Sequence, residues 1–236
     1  MTWSIIAKDE ATGQIGIAVA TRFFAVGARV PFIAAGFGGI ATQALVNPYY
    51  GIDGVALLRE RKSPEQIVET LTAADPGRES RQLHILDANG AIAAHTGRDC
   101  IDRCGHLAGD SFSIAGNMLA GPQVLDETAT AYRASAALPF PQRLIAALKA
   151  GEAAGGDKRG RQSAALVIHG SEEWSALDLR VDDHADPLVE LERLERVSRM
   201  HWTAFSPFMP TRANPGGTTD RATIDAGVAA ARAGQT

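Results

Sequence analysis

The fold is decided by residues 2–27, TWSIIAKDEATGQIGIAVATRFFAVG, at the start of the chain. Residues 2–8 predict a strand, and residues 9–13 (DEATG) have the composition of a turn. Residues 14–21 alternate with a period of two, which is the pattern of a second strand. Large or β-branched side chains fall on one face and small ones on the other: Ile15, Ile17, Val19 and Thr21 against Gly16, Ala18 and Ala20. The small face predicts close packing against a neighbouring layer.

Local signals place further strands and helices along the chain. Ser63 is predicted to cap a helix that begins at Pro64, with Gln66 completing a capping box. Asn89-Gly90 predicts a tight hairpin turn. The other predicted strands are 30–35, 39–44, 81–87, 91–97, 111–117, 162–169 and 174–181. The other predicted helices are 52–61, 122–136, 141–151 and one capped by Asp186, with Leu188, Leu191, Leu194 and Val197 on one face.

The order of these elements indicates the fold class. Strands arrive as hairpins and helices arrive in pairs, which argues against a doubly wound parallel sheet. We expect an α+β fold, a four-layer α-β-β-α sandwich of two stacked, mainly antiparallel sheets, with small strand faces between the sheets. Residues 1–200 are predicted to form this domain. Residues 201–236 are predicted to form a Pro/Gly-rich tail, docked through Trp202, Phe205 and Phe208, with a short terminal helix.

Composition excludes several classes of protein. Among 236 residues, 45% are hydrophobic and 21% are charged, which is typical of a globular chain. The net charge of −4 argues against a nucleic-acid partner. Two cysteines are too few for a secreted disulfide framework. The N-terminus has no signal-peptide pattern, and no apolar run is long enough to span a membrane, so we expect a cytoplasmic protein without a membrane partner.

Several further motifs carry a resemblance to a known family. They are IATQALVNPYYG (40–51), IAGNMLAG (114–121), AGEAAGGDKRGRQSAAL (150–166) and DLRVDDHADPLVEL (178–191). Together with residues 2–27 they resemble the bacterial domain of unknown function 1028, and the element order resembles N-terminal nucleophile hydrolases, the superfamily of proteasome β subunits. The resemblance extends from Thr2 to about Arg199. It implies the fold, while the family itself has no settled reaction.

The superfamily resemblance implies that Thr2 is the nucleophile. Methionine aminopeptidases remove Met1 when the next side chain is small, which would leave Thr2 with a free α-amine beside its hydroxyl. A hydroxyl needs a base to become nucleophilic, and an α-amine with a pKa of roughly 7.7–8.0 is such a base. The alternative is that Thr2 serves only as a strand-forming residue.

The resemblance also implies partners for Thr2. Asn117 would donate to an oxyanion, and Asp157 with Arg161 would set the protonation of the amine. The alternative for Asn117 and Asp157 is ordinary turn chemistry. Three further residues are expected to bind substrate, by position in the fold: Arg22, Gln43 and Ser163. No lysine occurs between Lys8 and Lys62, where proteasome subunits place one, which argues against proteasome-like proteolysis.

We therefore expect an amidohydrolase or small-peptide hydrolase without a cofactor or metal, acting on a small molecule or peptide and forming a homo-oligomer, with a dimer favoured. The first alternative is a non-catalytic binding or assembly protein of the same fold. The second alternative is a metal-dependent hydrolase centred on Cys100, Cys104 and His106, although the second pair of ligands usual in a structural zinc site is missing.

Overall fold

The computed structural model describes residues 2–234 and contains two antiparallel sheets. The strands are β1 (Thr2–Lys8), β2 (Ile15–Thr21), β3 (Pro31–Ala34), β4 (Gly38–Ala44), β5 (Arg81–Asp87), β6 (Ile92–Thr96), β7 (Gly105–Gly109), β8 (Phe112–Asn117), β9 (Ser163–His169) and β10 (Leu177–Val181). The six-stranded sheet has the order β10-β9-β2-β1-β8-β7, and the four-stranded sheet has the order β3-β4-β5-β6. Strand β1 therefore lies in the middle of the larger sheet.

Helices cover the outer face of each sheet. They are α1 (Pro48–Arg59), α2 (Pro64–Ala73), α3 (Gln123–Ala134), α4 (Phe140–Ala153), α5 (Pro187–Met200), α6 (Trp202–Phe205) and α7 (Arg221–Ala233). Helices α1 and α2 pack on the four-stranded sheet, whereas α3, α4 and α5 pack on the six-stranded sheet. The inner faces of the two sheets pack against each other. The predicted α+β, four-layer sandwich is confirmed.

The orientation of β2 differs from the one expected from its small face. Ile15, Ile17 and Val19 lie between the two sheets, whereas the small face is covered by α4. A methyl group at Gly16 would lie 2.6 Å from Leu144 Cδ1 and 2.9 Å from the Phe140 ring, so these two side chains of α4 would have to shift. The expectation that small strand faces lie between the sheets is therefore wrong for β2, since the larger side chains fill that space.

Two elements were missed or misplaced by the sequence patterns. Strand β7 (GHLAG) was not predicted, because alanine and glycine have low strand propensity. It lies at the edge of the six-stranded sheet, so the chain has four strands rather than three between α2 and α3. Helix α1 begins at Pro48 rather than at residue 52. Asn47 caps it by accepting from the Tyr49 N–H, the same arrangement of polar cap and proline that predicts α2.

The helix caps predicted for α2 and α5 are confirmed. Ser63 and Gln66 form both hydrogen bonds of the capping box at the start of α2. The Asp186 carboxylate accepts from the Val189 N–H at the start of α5. On α5, however, Val197 is exposed, while Glu195 is buried. The apolar stripe predicted for this helix is therefore shorter than expected.

Beyond α5 the chain folds back on the sandwich. The Trp202 indole Nε1 donates to the Ala176 carbonyl at 2.6 Å, and the Trp202 ring meets Trp174 edge to face. Helix α7 packs on α6 and α5, and a methyl group at Gly227 would lie 2.4 Å from the Phe208 ring. Helix α7 has 13 residues, and α6 has four. Among residues 2–234, no helix combines the length and apolar composition needed to cross a bilayer.

Candidate functional site

Thr2 lies at the first position of β1, between the two strands that flank it. Its backbone pairs with Thr21 at the end of β2 and with Asn117 at the end of β8. The Thr2 hydroxyl donates to Thr21 Oγ1 at 3.1 Å, and the residue is 8% exposed. The predicted removal of Met1 concerns a residue outside the described part of the chain.

Asn117 presents its carboxamide toward Thr2. The Nδ2 group lies 3.5 Å from the Thr2 carbonyl oxygen and donates to Gln82 Oε1 at 3.1 Å. The side chain is buried, at 2% exposure. Asn117 is therefore an amide donor beside the Thr2 backbone, although Gly-Asn in the sequence is equally typical of a turn.

Asp157 is held beside the strand ends by hydrogen bonds from backbone and side-chain donors. Its carboxylate accepts from the Arg22 N–H at 2.7 Å, from the Arg159 N–H at 2.8 Å and from the Arg159 guanidinium at 3.1 Å. Arg22 directly follows Thr21, and residue 157 also forms a β-bridge to Leu119, two positions after Asn117. The topology thus brings the Asp157 loop to the same end of the sheet as Thr2.

Arg161 faces away from that carboxylate. Its guanidinium bonds to Glu152 and, at 2.8 Å, to Asp186. The hydrogen bond from Arg161 to Glu152, and then the charge of Glu152, raise the pKa of the Arg161 guanidinium. The arginine that bonds to the Asp157 carboxylate is Arg159, whereas Arg161 bonds to Glu152 and Asp186.

Arg22 and Ser163 hold the loop that follows β2. The Arg22 guanidinium donates to the Arg159 carbonyl at 2.7 Å. The buried Ser163 hydroxyl donates to the Phe23 carbonyl and accepts from the Val26 N–H at 3.2 Å. Ser163 also pairs with Thr21 across β2 and β9. Both side chains therefore support the loop that follows β2.

Gln43 belongs to a polar layer buried between the two sheets. Its Nε2 donates to Gln82 Oε1 at 2.8 Å, and its Oε1 accepts from the Ser4 hydroxyl at 2.8 Å. Ser4 also bonds to His84 Nε2 at 2.8 Å, and His84 Nδ1 bonds to the Ser113 hydroxyl at 2.9 Å. We call this set the inner polar layer: Ser4, Gln43, Gln82, His84, Ser113 and Asn117, each at most 2% exposed. It links the predicted residues Gln43 and Asn117 through Gln82.

His84 is the titratable group of this layer. Burial, followed by the charge of His106, lowers the pKa of the imidazole to about 3. The ring is therefore neutral near neutral pH. The sequence patterns did not single out His84 or Gln82 as site residues. The available signal was the alternation of RQLHILD (81–87), which puts both side chains on one face of β5 together with Leu86.

The residues of the metal alternative do not assemble into a metal site. Cys100 donates to the Arg81 carbonyl, and burial, followed by the charge of Cys104, raises the pKa of the Cys100 thiol to about 11. Cys104 and His106 line an open cavity of about 430 Å³ beside Leu119. Within residues 2–234, no three His, Cys, Asp or Glu side chains are grouped to hold a metal ion.

Comparisons with known proteins identify the family to which this chain belongs. A family model described as "Family of unknown function (DUF1028)" matches residues 2–191. A crystal structure of a DUF1028 protein from Silicibacter pomeroyi is 34% identical, covers 93% of this chain and 96% of its own, and has a TM-score of 0.87. Anbu (ancestral beta-subunit) from Yersinia bercovieri is 12% identical over 83% of this chain and 94% of its own, with a TM-score of 0.42. No curated protein matches the sequence significantly.

Proposed function

This chain belongs to the DUF1028 family of unknown function, and we propose that it is an amide hydrolase whose nucleophile is Thr2 after removal of Met1. The observation that carries the proposal is the convergence at the first position of β1. Thr2 pairs with Thr21 on one side and with Asn117 on the other, and the Asp157 carboxylate binds the N–H of the residue after Thr21. A nucleophile, an amide donor and a carboxylate thus come from separate parts of the chain to one sheet end.

The proposed reaction begins with attack of the Thr2 hydroxyl oxygen on the carbonyl carbon of an amide. The hydroxyl proton passes to the free α-amine of Thr2, and the carbonyl oxygen becomes an oxyanion that the Asn117 N–H stabilises. When the carbon–nitrogen bond breaks, the departing amine takes the proton from the Thr2 ammonium. Water, deprotonated by the same amine, then hydrolyses the ester and restores the hydroxyl.

Asp157 has a supporting role in this proposal. A carboxylate near an α-amine favours the ammonium and restrains its orientation, while the neighbouring Arg159 guanidinium offsets part of that charge. Thr21 accepts the hydrogen bond from the Thr2 hydroxyl and so orients the nucleophile before attack. A small molecule or a short peptide is the substrate class that we propose, because Thr2 is mostly covered.

A covalent probe tests the assignment of Thr2. The chain is produced behind a cleavable N-terminal tag so that it begins at Thr2, and it is incubated with a β-lactone. Attack by the Thr2 hydroxyl opens the lactone, giving an ester whose mass increase equals the whole probe. We expect one adduct, mapped to the N-terminal peptide.

Two matched controls decide the outcome. The same chain with Met1 retained has no free amine at Thr2, and Thr2→Ala has no hydroxyl, so neither should form the adduct. Labelling of Thr2→Ala at the same rate as the chain that begins at Thr2 would refute the proposal.

A second candidate function, a non-catalytic binding or assembly protein, is favoured by one sequence feature. No lysine lies between Lys8 and Lys62, and β3 carries PFIA where proteasome subunits place a lysine beside the nucleophile. This candidate predicts that the mature chain forms no covalent adduct with the lactone at any residue.

A further inference from the structure

Gln82 is the central residue of the inner polar layer. Its side chain is fully buried on β5, and Nε2 lies 2.9 Å from the Gly116 carbonyl oxygen and 3.1 Å from the Gly105 carbonyl oxygen. It also lies 2.9 Å from Thr96 Oγ1. Carbonyl oxygens only accept hydrogen bonds, so the amide nitrogen of Gln82 must face them. The orientation of the whole carboxamide is thereby fixed.

The fixed orientation of Gln82 determines that of its neighbours. Its Oε1 faces the opposite way and accepts from Gln43 Nε2 at 2.8 Å and from Asn117 Nδ2 at 3.1 Å. Gln43 Oε1 then accepts from Ser4, so the Ser4 oxygen accepts from His84. Each donor and acceptor in the layer follows from two backbone carbonyls of the six-stranded sheet.

The Asn117 carboxamide could direct either its NH₂ group or its oxygen toward Gln82 and Thr2. Because Gln82 Oε1 can only accept, the Asn117 side chain directs its NH₂ group toward Gln82 and the Thr2 carbonyl. In the flipped orientation, the carboxamide oxygen would take that place and would repel a developing oxyanion. An NH₂ group has two hydrogens: one bonds to Gln82, and the other, directed to the Thr2 carbonyl oxygen at 3.5 Å, is the one that would turn to a ligand beside Thr2.

We propose that Gln82 is a positioning residue that keeps the amide nitrogen of Asn117 directed toward Thr2. This inference rests on the proposed function, in which Asn117 stabilises the oxyanion. Gln82 is buried at a distance from the reacting atoms and acts only through Asn117.

Two substitutions at Gln82 separate positioning from structural support. Gln82→Met has a similar length but lacks the acceptor for Asn117, so lactone acylation of Thr2 should slow by at least about tenfold. Gln82→Glu keeps an acceptor for Asn117, and its buried carboxyl group is protonated so that it can donate to the Gly105 or Gly116 carbonyl, so its acylation rate should stay within about threefold of the unsubstituted chain. A purely structural role would lower both rates together with the stability.

Ser113→Ala is the matched control. It removes a buried hydrogen bond from the same layer, to His84 rather than to Asn117, and should leave the acylation rate within about twofold. The side-chain amide signals of Asn117 in a ¹⁵N–¹H NMR spectrum provide a second measurement. They should exchange slowly with solvent in the unsubstituted chain and in Ser113→Ala, and faster in Gln82→Met.

Each outcome decides one proposal. If the mature chain is acylated and Gln82→Met reacts equally fast, the positioning role is overturned while the proposed function stands. If the mature chain is not acylated, the proposed function fails, and unchanged Asn117 signals in Gln82→Met would overturn the positioning role as well. If Gln82→Met does not fold, a loss of more than about tenfold in Gln82→Glu overturns the inference.

Discussion

His84 gives the fold a measurable pH dependence. The buried imidazole has a pKa of about 3 in the folded chain, against an ordinary value of 6.5 that applies in the unfolded chain. Between these two values, the unfolded chain binds a proton that the folded chain does not bind. The free energy of unfolding therefore falls as the pH falls through this window.

A difference of one bound proton changes the free energy of unfolding by about 1.4 kcal/mol for each pH unit. Lowering the pH from about 7 to about 4.5 should remove about 2.5 kcal/mol of stability through His84 alone. Other groups also titrate in this range, so the comparison is with His84→Gln, in which they are retained.

Urea unfolding of both proteins across this pH range measures the effect. Between about pH 6 and about pH 4.5, the free energy of unfolding should change less steeply with pH for His84→Gln. The difference in slope should be about 1.4 kcal/mol per pH unit, which corresponds to one proton. An NMR titration of the folded protein should show no protonation of the His84 ring in the same range. Parallel stability curves would refute the neutral, buried state of His84.

The remaining predictions concern packing and the Asp157 loop. A methyl group at Gly51 would lie 2.1 Å from the Phe32 ring, so Gly51→Ala should lower the free energy of unfolding by about 2 kcal/mol, although alanine favours a helix; an unchanged Tm would contradict this packing. Asp157→Asn should cost about 2–4 kcal/mol in urea unfolding, because the buried carboxylate holds Arg159 and two backbone N–H groups. Arg161→Gln is the control and should cost under about 1 kcal/mol, since its ion pairs are partly solvated.

The architecture could be predicted from local sequence because it depends on the order of hairpins and paired helices. Asn89-Gly90 and the Ser63 capping box act over a few residues, and the structure has both as expected. The edge strand β7 could not be predicted, because its pairing with β8 comes from backbone hydrogen bonds rather than from strand-forming side chains. The buried face of β2 could not be assigned either, since both of its faces are covered.

The arginine that bonds to Asp157 could not be predicted from the sequence. Arg159 and Arg161 lie in one glycine-rich loop, and the sequence contains no preference between them as partner of Asp157. Positive φ angles at Gly156 and Gly160 turn the chain so that Arg159 folds back on the carboxylate, while Arg161 reaches Glu152 and Asp186. The choice is therefore made by backbone geometry that only the folded loop reveals.

The inner polar layer could not be predicted from the sequence either, because the burial of its side chains depends on the opposite sheet. In a strand with one solvated face, alternating Gln82 and His84 would be the solvent-facing residues. Here β5 is covered on both faces, so these side chains are buried and each needs partners from other strands. Those partners are remote, with Ser4 and His84 separated by 80 positions. A buried polar group without a partner is costly, so the orientation of each side chain in the layer depends on the neighbours that satisfy it. That mutual dependence ties the orientation of Asn117 beside Thr2 to residues of the opposite sheet.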